Sequence, residues 1–132
     1  MPEATFRNLQ ILNMKGNSGP YMQYSVVRIK SLLSKSDHIK KHQISALNDQ
    51  EQQVVRYLIR FPEVIAIAAG EFRPSYLAEY LFTLAQRYNT FYDTEKIIGG
   101  EREGVRIQVS KATLLVLEQG LSLLGISVPE KM

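Results

Sequence analysis

Residues 16–33 read GNSGPYMQYSVVRIKSLL, and their spacing sets the fold class. Pro20 follows Ser18 and Gly19, an order that opens helices because a first turn leaves its N–H groups unpaired and proline has none to lose. Met22, Val26, Ile29 and Leu33 then recur at helical spacing, the stripe of a helix packed along one side. At about 100° per residue, Tyr24, Arg28, Ser31 and Lys35 fall on the opposite side. A solvated face ordinarily carries Glu, Lys or Gln there, so a ring and a guanidinium need a reason.

The same period continues along the chain. Asn48 and Glu51 have the spacing of a capping box, and the helix they open is expected to bury Val54, Val55, Leu58 and Ile59. Pro62 opens a short third helix and Pro74 a fourth, along which Leu77, Leu81, Leu84, Tyr88 and Phe91 trace one face. Residues 93–104, DTEKIIGGEREG, read as a loop. The last helix, from about Glu103 to Leu124, has Val105, Val109, Ala112 and Val116 on one side and Ile107, Leu114 and Leu121 on another. A helix apolar nearly all round is expected at the centre. Gly125 suits a helix stop, and residues 126–132 form a C-terminal tail. Five helices with short links make an all-α helical bundle, a single domain over residues 1–132.

Composition agrees. A chain of 132 residues buries roughly two-thirds of the surface its unfolded form exposes. With 45% hydrophobic and 22% charged residues it is an ordinary globular sequence. It has no cysteine, which excludes disulfides, thiol nucleophiles and thiolate-bound metals. No apolar run reaches signal-peptide or membrane-span length, so a cytoplasmic location is the expectation. The net charge of +3 is uneven: Met1 to Leu47 carries +5 and the remainder −2. An anionic partner for the first third fits that imbalance.

Catalytic signatures are missing. His38 and His42 have the spacing of two ligands on a helical face, but they lie in a Lys-rich connection without HExxH or a carboxylate pair. GNSG and IGGEREG lack the preceding strand that a phosphate-binding loop requires. No nucleophile elbow occurs. The pair Tyr24 and Arg28 is more informative, and two readings fit it. Four residues apart on one helical surface, it offers a ring for base stacking beside a planar donor fork, the equipment for unpaired RNA. Alternatively, Tyr24 packs beneath a second helical layer and Arg28 screens it. Tyr92, in RYNTFYD, falls near the core stripe, with a hydroxyl able to reach the surface. Met132 ends a polar tail and has no role from chemistry alone.

Three blocks carry a resemblance. KGNSGPYMQYSVVRIKSLL (15–33), LAEYLFTLAQRYNTFYD (77–93) and LEQGLSLLGISVPEKM (117–132) together resemble the C-terminal, DALR-type anticodon-binding domain of arginyl-tRNA synthetases. The likeness covers about Met14 to Met132. It implies an all-α bundle that grips the anticodon loop of arginine tRNA for ATP-dependent arginylation by a full-length arginine–tRNA ligase. The family's helix-borne Tyr and Arg map onto Tyr24 and Arg28, its later aromatic onto Tyr92 and its terminal Met onto Met132. These four are the anticodon-binding residues the resemblance implies, around the central cytosine shared by every arginine anticodon. An anchored tail at Met132 follows from the same likeness.

Lys30, Lys35, Lys40 and Lys41 are candidate phosphate contacts. Where the family commonly has YAHARI this chain has YSVVRI, so contacts from the two intervening residues do not carry over. The HIGH and KMSK-type motifs of the catalytic domain do not occur in these residues, and neither does the domain that meets the tRNA elbow. Residues 1–15 are then a linker or the remnant of a junction to the catalytic domain, and this segment alone is expected to be inactive. The resemblance implies ATP and Mg in that catalytic domain and no cofactor in this one. The partners it implies are arginine tRNA and the catalytic domain of the same polypeptide, with no membrane and no DNA. The competing expectations are a non-catalytic protein-interaction module, whose same face docks an acidic protein, and a free-standing relative of the anticodon-binding domain.

Overall fold

The computed structural model describes residues 18–36 and 46–130. Among them the chain forms five helices and no strand: α1 (Ser18–Lys35), α2 (Asp49–Leu58), α3 (Phe61–Gly70), α4 (Pro74–Thr94) and α5 (Glu103–Leu123). None of these helices is long and apolar enough to cross a membrane. The all-α architecture is the one the periodicity calls for.

α4 is the hub. Leu77, Leu81, Leu84, Tyr88 and Phe91 are all buried on it, and it packs against each of the other four helices. The sequence pattern pointed to the last helix as the central one. α5 packs mainly against three helices and leaves Ala112, Leu115 and Leu123 exposed. The two helices bury equally many residues, but those of α4 meet all four neighbours, and its tyrosines bring their own polar exits. Tyr80 donates to the Tyr57 carbonyl at 2.8 Å, and the Tyr88 and Ser110 hydroxyls lie 2.8 Å apart. Burial raises the pKa of Tyr80 and takes that of Tyr88 up to about 12, so both phenols stay neutral.

α4 and α5 meet at Gly120. A Cβ there would lie 2.5 Å from Leu81 Cδ2, a distance no methyl group tolerates. Only a residue without a side chain lets the two backbones come this close. α5 then stops at Gly125, whose φ of 75° is open to glycine at little cost. The Gly125 N–H bonds to the Ser122 carbonyl and the Ile126 N–H to the Leu121 carbonyl, closing a Schellman motif. Past it, Ile126 and Val128 pack on the core.

The capping box on α2 forms as the spacing indicates: Asn48 Oδ1 accepts from the Glu51 N–H and Glu51 Oε1 from the Asn48 N–H, each at 3.0 Å. Glu51 has a second task that its position in a first turn conceals. Its side chain is completely buried and meets Arg102 Nε at 2.6 Å and Arg106 Nε at 3.1 Å. Arg102 also donates to the Ala46 carbonyl and Arg106 to the Lys96 carbonyl. One carboxylate therefore ties the entrance of α2 to the 95–102 loop and the start of α5. Burial alone would raise the Glu51 pKa, but hydrogen bonds from Arg102, the Asn48 N–H and Arg106 outweigh it and lower it to about 2.

Two details depart from the expected stripes. On α1 the buried set is Ser18, Met22, Ser25, Val26, Ile29 and Leu32, with Leu33 half-buried. The packed arc is turned toward Ser25 and Leu32 because α1 lies against both α4 and α5. On α2, Val54 and Leu58 are buried, Val55 is half-buried and Ile59 is 72% exposed. Ile59 keeps helical backbone angles and its N–H bonds to the Val55 carbonyl, so it continues the flank of half-buried Val55 rather than the face of Val54 and Leu58.

Candidate nucleic-acid interface

α1 and α4 run in the same direction along a polar seam. Tyr21 packs on Phe82 at 5.4 Å between ring centroids, and further along Arg28 meets Tyr92 and Asp93. Between these points lies Asn89, buried in the C-terminal part of α4. Its amide donates to the Tyr21 hydroxyl at 3.0 Å and to Ser25 Oγ at 2.8 Å, and its carbonyl oxygen accepts from Arg28 Nη1 at 3.0 Å. Asn89 thus makes three of its four hydrogen bonds inside the seam. An amide so engaged fixes the register of α1 on α4.

The guanidinium of Arg28 is held at two points and stacked on a third. Nη2 donates to Asp93 Oδ1 at 2.6 Å, and the guanidinium carbon sits 3.5 Å from the centroid of the Tyr92 ring. The Tyr92 ring also contacts Tyr88, at 6.3 Å between centroids and tilted. Burial works against the charge on Arg28, but hydrogen bonding to Asp93 and Tyr92 outweighs it and raises the pKa. The sequence suggests a fork free on the far side of α1. The structure turns it into the seam instead, because α4 brings an amide, a carboxylate and a ring to that flank.

Tyr24, one turn before Arg28, is 49% exposed. A base approaching this face meets an exposed ring on α1 and, one turn on, a cationic plane backed by a second ring on α4. Of the expected site residues, Arg28 and Tyr92 are in contact and Tyr24 lies on the same helix face. Lys35 is exposed in the last turn of α1. Lys30 is turned toward α5, where its Nζ lies 3.4 Å from Glu118 Oε2. It sits about 120° round the helix from Tyr24, which separates it from that face. Lys40, Lys41, His38, His42 and Met132 lie outside the described residues.

Asn89 and Asp93 escape sequence reasoning. Both are in the quoted RYNTFYD, one helical turn apart. The available signal was a short polar residue in the interior of a helix, where it ordinarily competes with backbone bonding and so needs a tertiary partner. The tail of the domain is also tied to α1: Gln23 Nε2 donates to the Ser127 carbonyl.

No nucleotide cradle exists in the IGGEREG loop. The Gly99 N–H is taken at 2.8 Å by the Glu103 carboxylate, which occupies the place a phosphate would need. Among the described residues no group of three or more His, Asp and Glu could hold a metal.

Residues 22–132 match the family described as the DALR anticodon binding domain. The chain belongs to that family. The arginine–tRNA ligase of Flavobacterium psychrophilum is 35% identical to this DALR domain over 131 residues, 96% of the chain and 22% of the relative. That of Streptococcus pneumoniae is 38% identical over 128 residues, 92% of the chain and 22% of the relative. The structure of the Thermus thermophilus arginyl-tRNA synthetase superposes with a TM-score of 0.72 at 30% identity, over 86% of the chain and 21% of that protein. The DALR domain therefore spans about a fifth of the length of the curated relatives it matches.

Proposed function

We propose that this domain binds the anticodon loop of arginine tRNA and reads its central base for an arginine–tRNA ligase. The single observation that carries the reading is the cluster on α1 and α4: an exposed Tyr24, and one turn on, Arg28 stacked on Tyr92. Unpaired bases are held by stacking on aromatic rings and guanidinium planes, worth about 1–3 kcal/mol per base. Arg28 arrives with its stacking and two of its hydrogen bonds already made, so binding RNA costs little ordering of that side chain. Tyr24 supplies the ring that the fold leaves open. Backbone attraction would come from Lys35 and the basic first third of the chain, and would weaken with salt.

The ATP-dependent joining of arginine to tRNA belongs, in this reading, to the full-length ligase, with ATP and Mg in its catalytic domain and that domain as the second partner. Titration of an arginine anticodon stem-loop against the 132-residue chain tests the proposal. Tight binding that weakens when the central cytosine is replaced is the expected result. Equal affinity for any loop sequence, or for duplex of the same charge, would remove it.

A further inference from the structure

Asp93 is badly placed by every local criterion. It lies in the last turn of α4, where the helix dipole disfavours a negative charge. It is also 62% exposed beside a surface read above as an RNA site, where a carboxylate repels phosphates. Its ion pair with Arg28 offsets part of this. However, that pair uses only Oδ1, and among the described residues Oδ2 has no partner. An Asn at this position would also accept from Arg28, through a weaker hydrogen bond without the charge. The carboxylate adds the stronger ion pair and, with Oδ2, a second acceptor that the pair does not use.

The arrangement is a two-sided edge. Arg28 commits hydrogen bonds to Asn89 from Nη1, to Asp93 from Nη2 and a further one to Tyr92, of the five N–H donors of a guanidinium. Donors therefore remain uncommitted on a guanidinium that is stacked on Tyr92 and in contact with a carboxylate whose second oxygen has no partner among the described residues. The Watson–Crick edge of cytosine presents the complement: an acceptor ring nitrogen next to a donating amino group. Uracil places a carbonyl oxygen where cytosine has the amino group, and would bring lone pairs against the carboxylate.

We propose that Asp93 is a specificity-determining residue, whose free carboxylate oxygen accepts the exocyclic amino group of the bound base and selects cytosine over uracil. The inference rests on the anticodon reading above and names a reader that the resemblance does not supply.

Two central-base substitutions in the stem-loop, uracil and pyrimidin-2-one (cytosine without its amino group), test it against the wild-type chain, Asp93→Asn and Asp93→Ala. Wild type is expected to lose about tenfold in affinity for either substitution, the size of one specific base contact. In both variants that loss shrinks to about twofold or less, and Asp93→Asn shifts the preference toward uracil. If Asp93 only holds Arg28 in place, both variants weaken all three stem-loops by the same factor, the ratios stand, and the inference is overturned while the anticodon reading survives. A wild-type chain that fails to bind the cytosine stem-loop overturns both. The pyrimidin-2-one comparison needs no protein variant, so a wild type indifferent to the missing amino group is decisive by itself.

Discussion

Glu51 and Arg102 meet with the carboxylate fully buried and the guanidinium spanning both its oxygens, one from Nε at 2.6 Å and one from Nη2. Because the folded pKa is lowered from 4.5 to about 2, the stability it adds is fully present above pH ~4.5 and is lost as pH falls toward 2. The full contribution is about 3 kcal/mol. Urea denaturation across that window should show the decline. Glu51→Gln should cost about 3 kcal/mol at neutral pH, since it leaves two arginines facing an uncharged buried partner, and should flatten the profile between pH 4.5 and 2.

Gly120→Ala tests the α4–α5 crossing. Alanine favours a helix by about 1 kcal/mol over glycine. Its methyl group would fall 2.5 Å from Cδ2 of Leu81, a side chain with no free surface to move into. Overpacking costs about 1–3 kcal/mol, so a net destabilisation of up to about 2 kcal/mol is expected in the same assay. Adding Leu81→Ala to Gly120→Ala should cost less than the two single changes summed, because the smaller side chain removes the clash.

Phe72 holds a φ of 51° at the end of α3, where its N–H bonds to the Ala69 carbonyl and the Arg73 N–H to the Ala68 carbonyl. This is the left-handed position of a Schellman motif, filled by an aromatic residue that is 87% exposed. Left-handed backbone costs an L-residue about 1–2 kcal/mol, and glycine returns part of that in unfolded-state entropy. Phe72→Gly should therefore stabilise the domain by about 0.5–1 kcal/mol. Phe72→Ala, which keeps the strain, should not. Melting temperatures of the two variants decide it.

Tyr24 and Arg28 separate binding from folding. Tyr24→Ala removes a half-exposed ring and should leave stability within about 0.5 kcal/mol, while weakening stem-loop binding by about 1–3 kcal/mol. Arg28→Lys should change both. A lysine cannot stack flat on Tyr92 while bridging Asn89 and Asp93, so about 1 kcal/mol of stability is lost together with affinity. Paired denaturation and binding curves would show one effect for the first variant and two for the second.

The helices, the capping box, the glycine stop and the core face of α4 were legible in the order of residues. Each depends on neighbours within one or two turns: an amide three residues from a carboxylate, a leucine four from the next, a glycine at a helix end. The chain fixes such relations before it folds. That Tyr24 lies off the apolar stripe was legible too, because its angle round α1 needs no other helix to define it; that no second layer buries the ring was not.

Tertiary packing decided the rest. That α4 rather than α5 sits at the centre, that Glu51 serves two arginines over fifty residues away, and that Arg28 turns into a seam with Asn89, Tyr92 and Asp93 all follow from which flanks meet. A periodicity gives the angle of a side chain about its own axis. It carries no information on what the neighbouring helix brings to that angle, and the electrostatics of the binding face are set there.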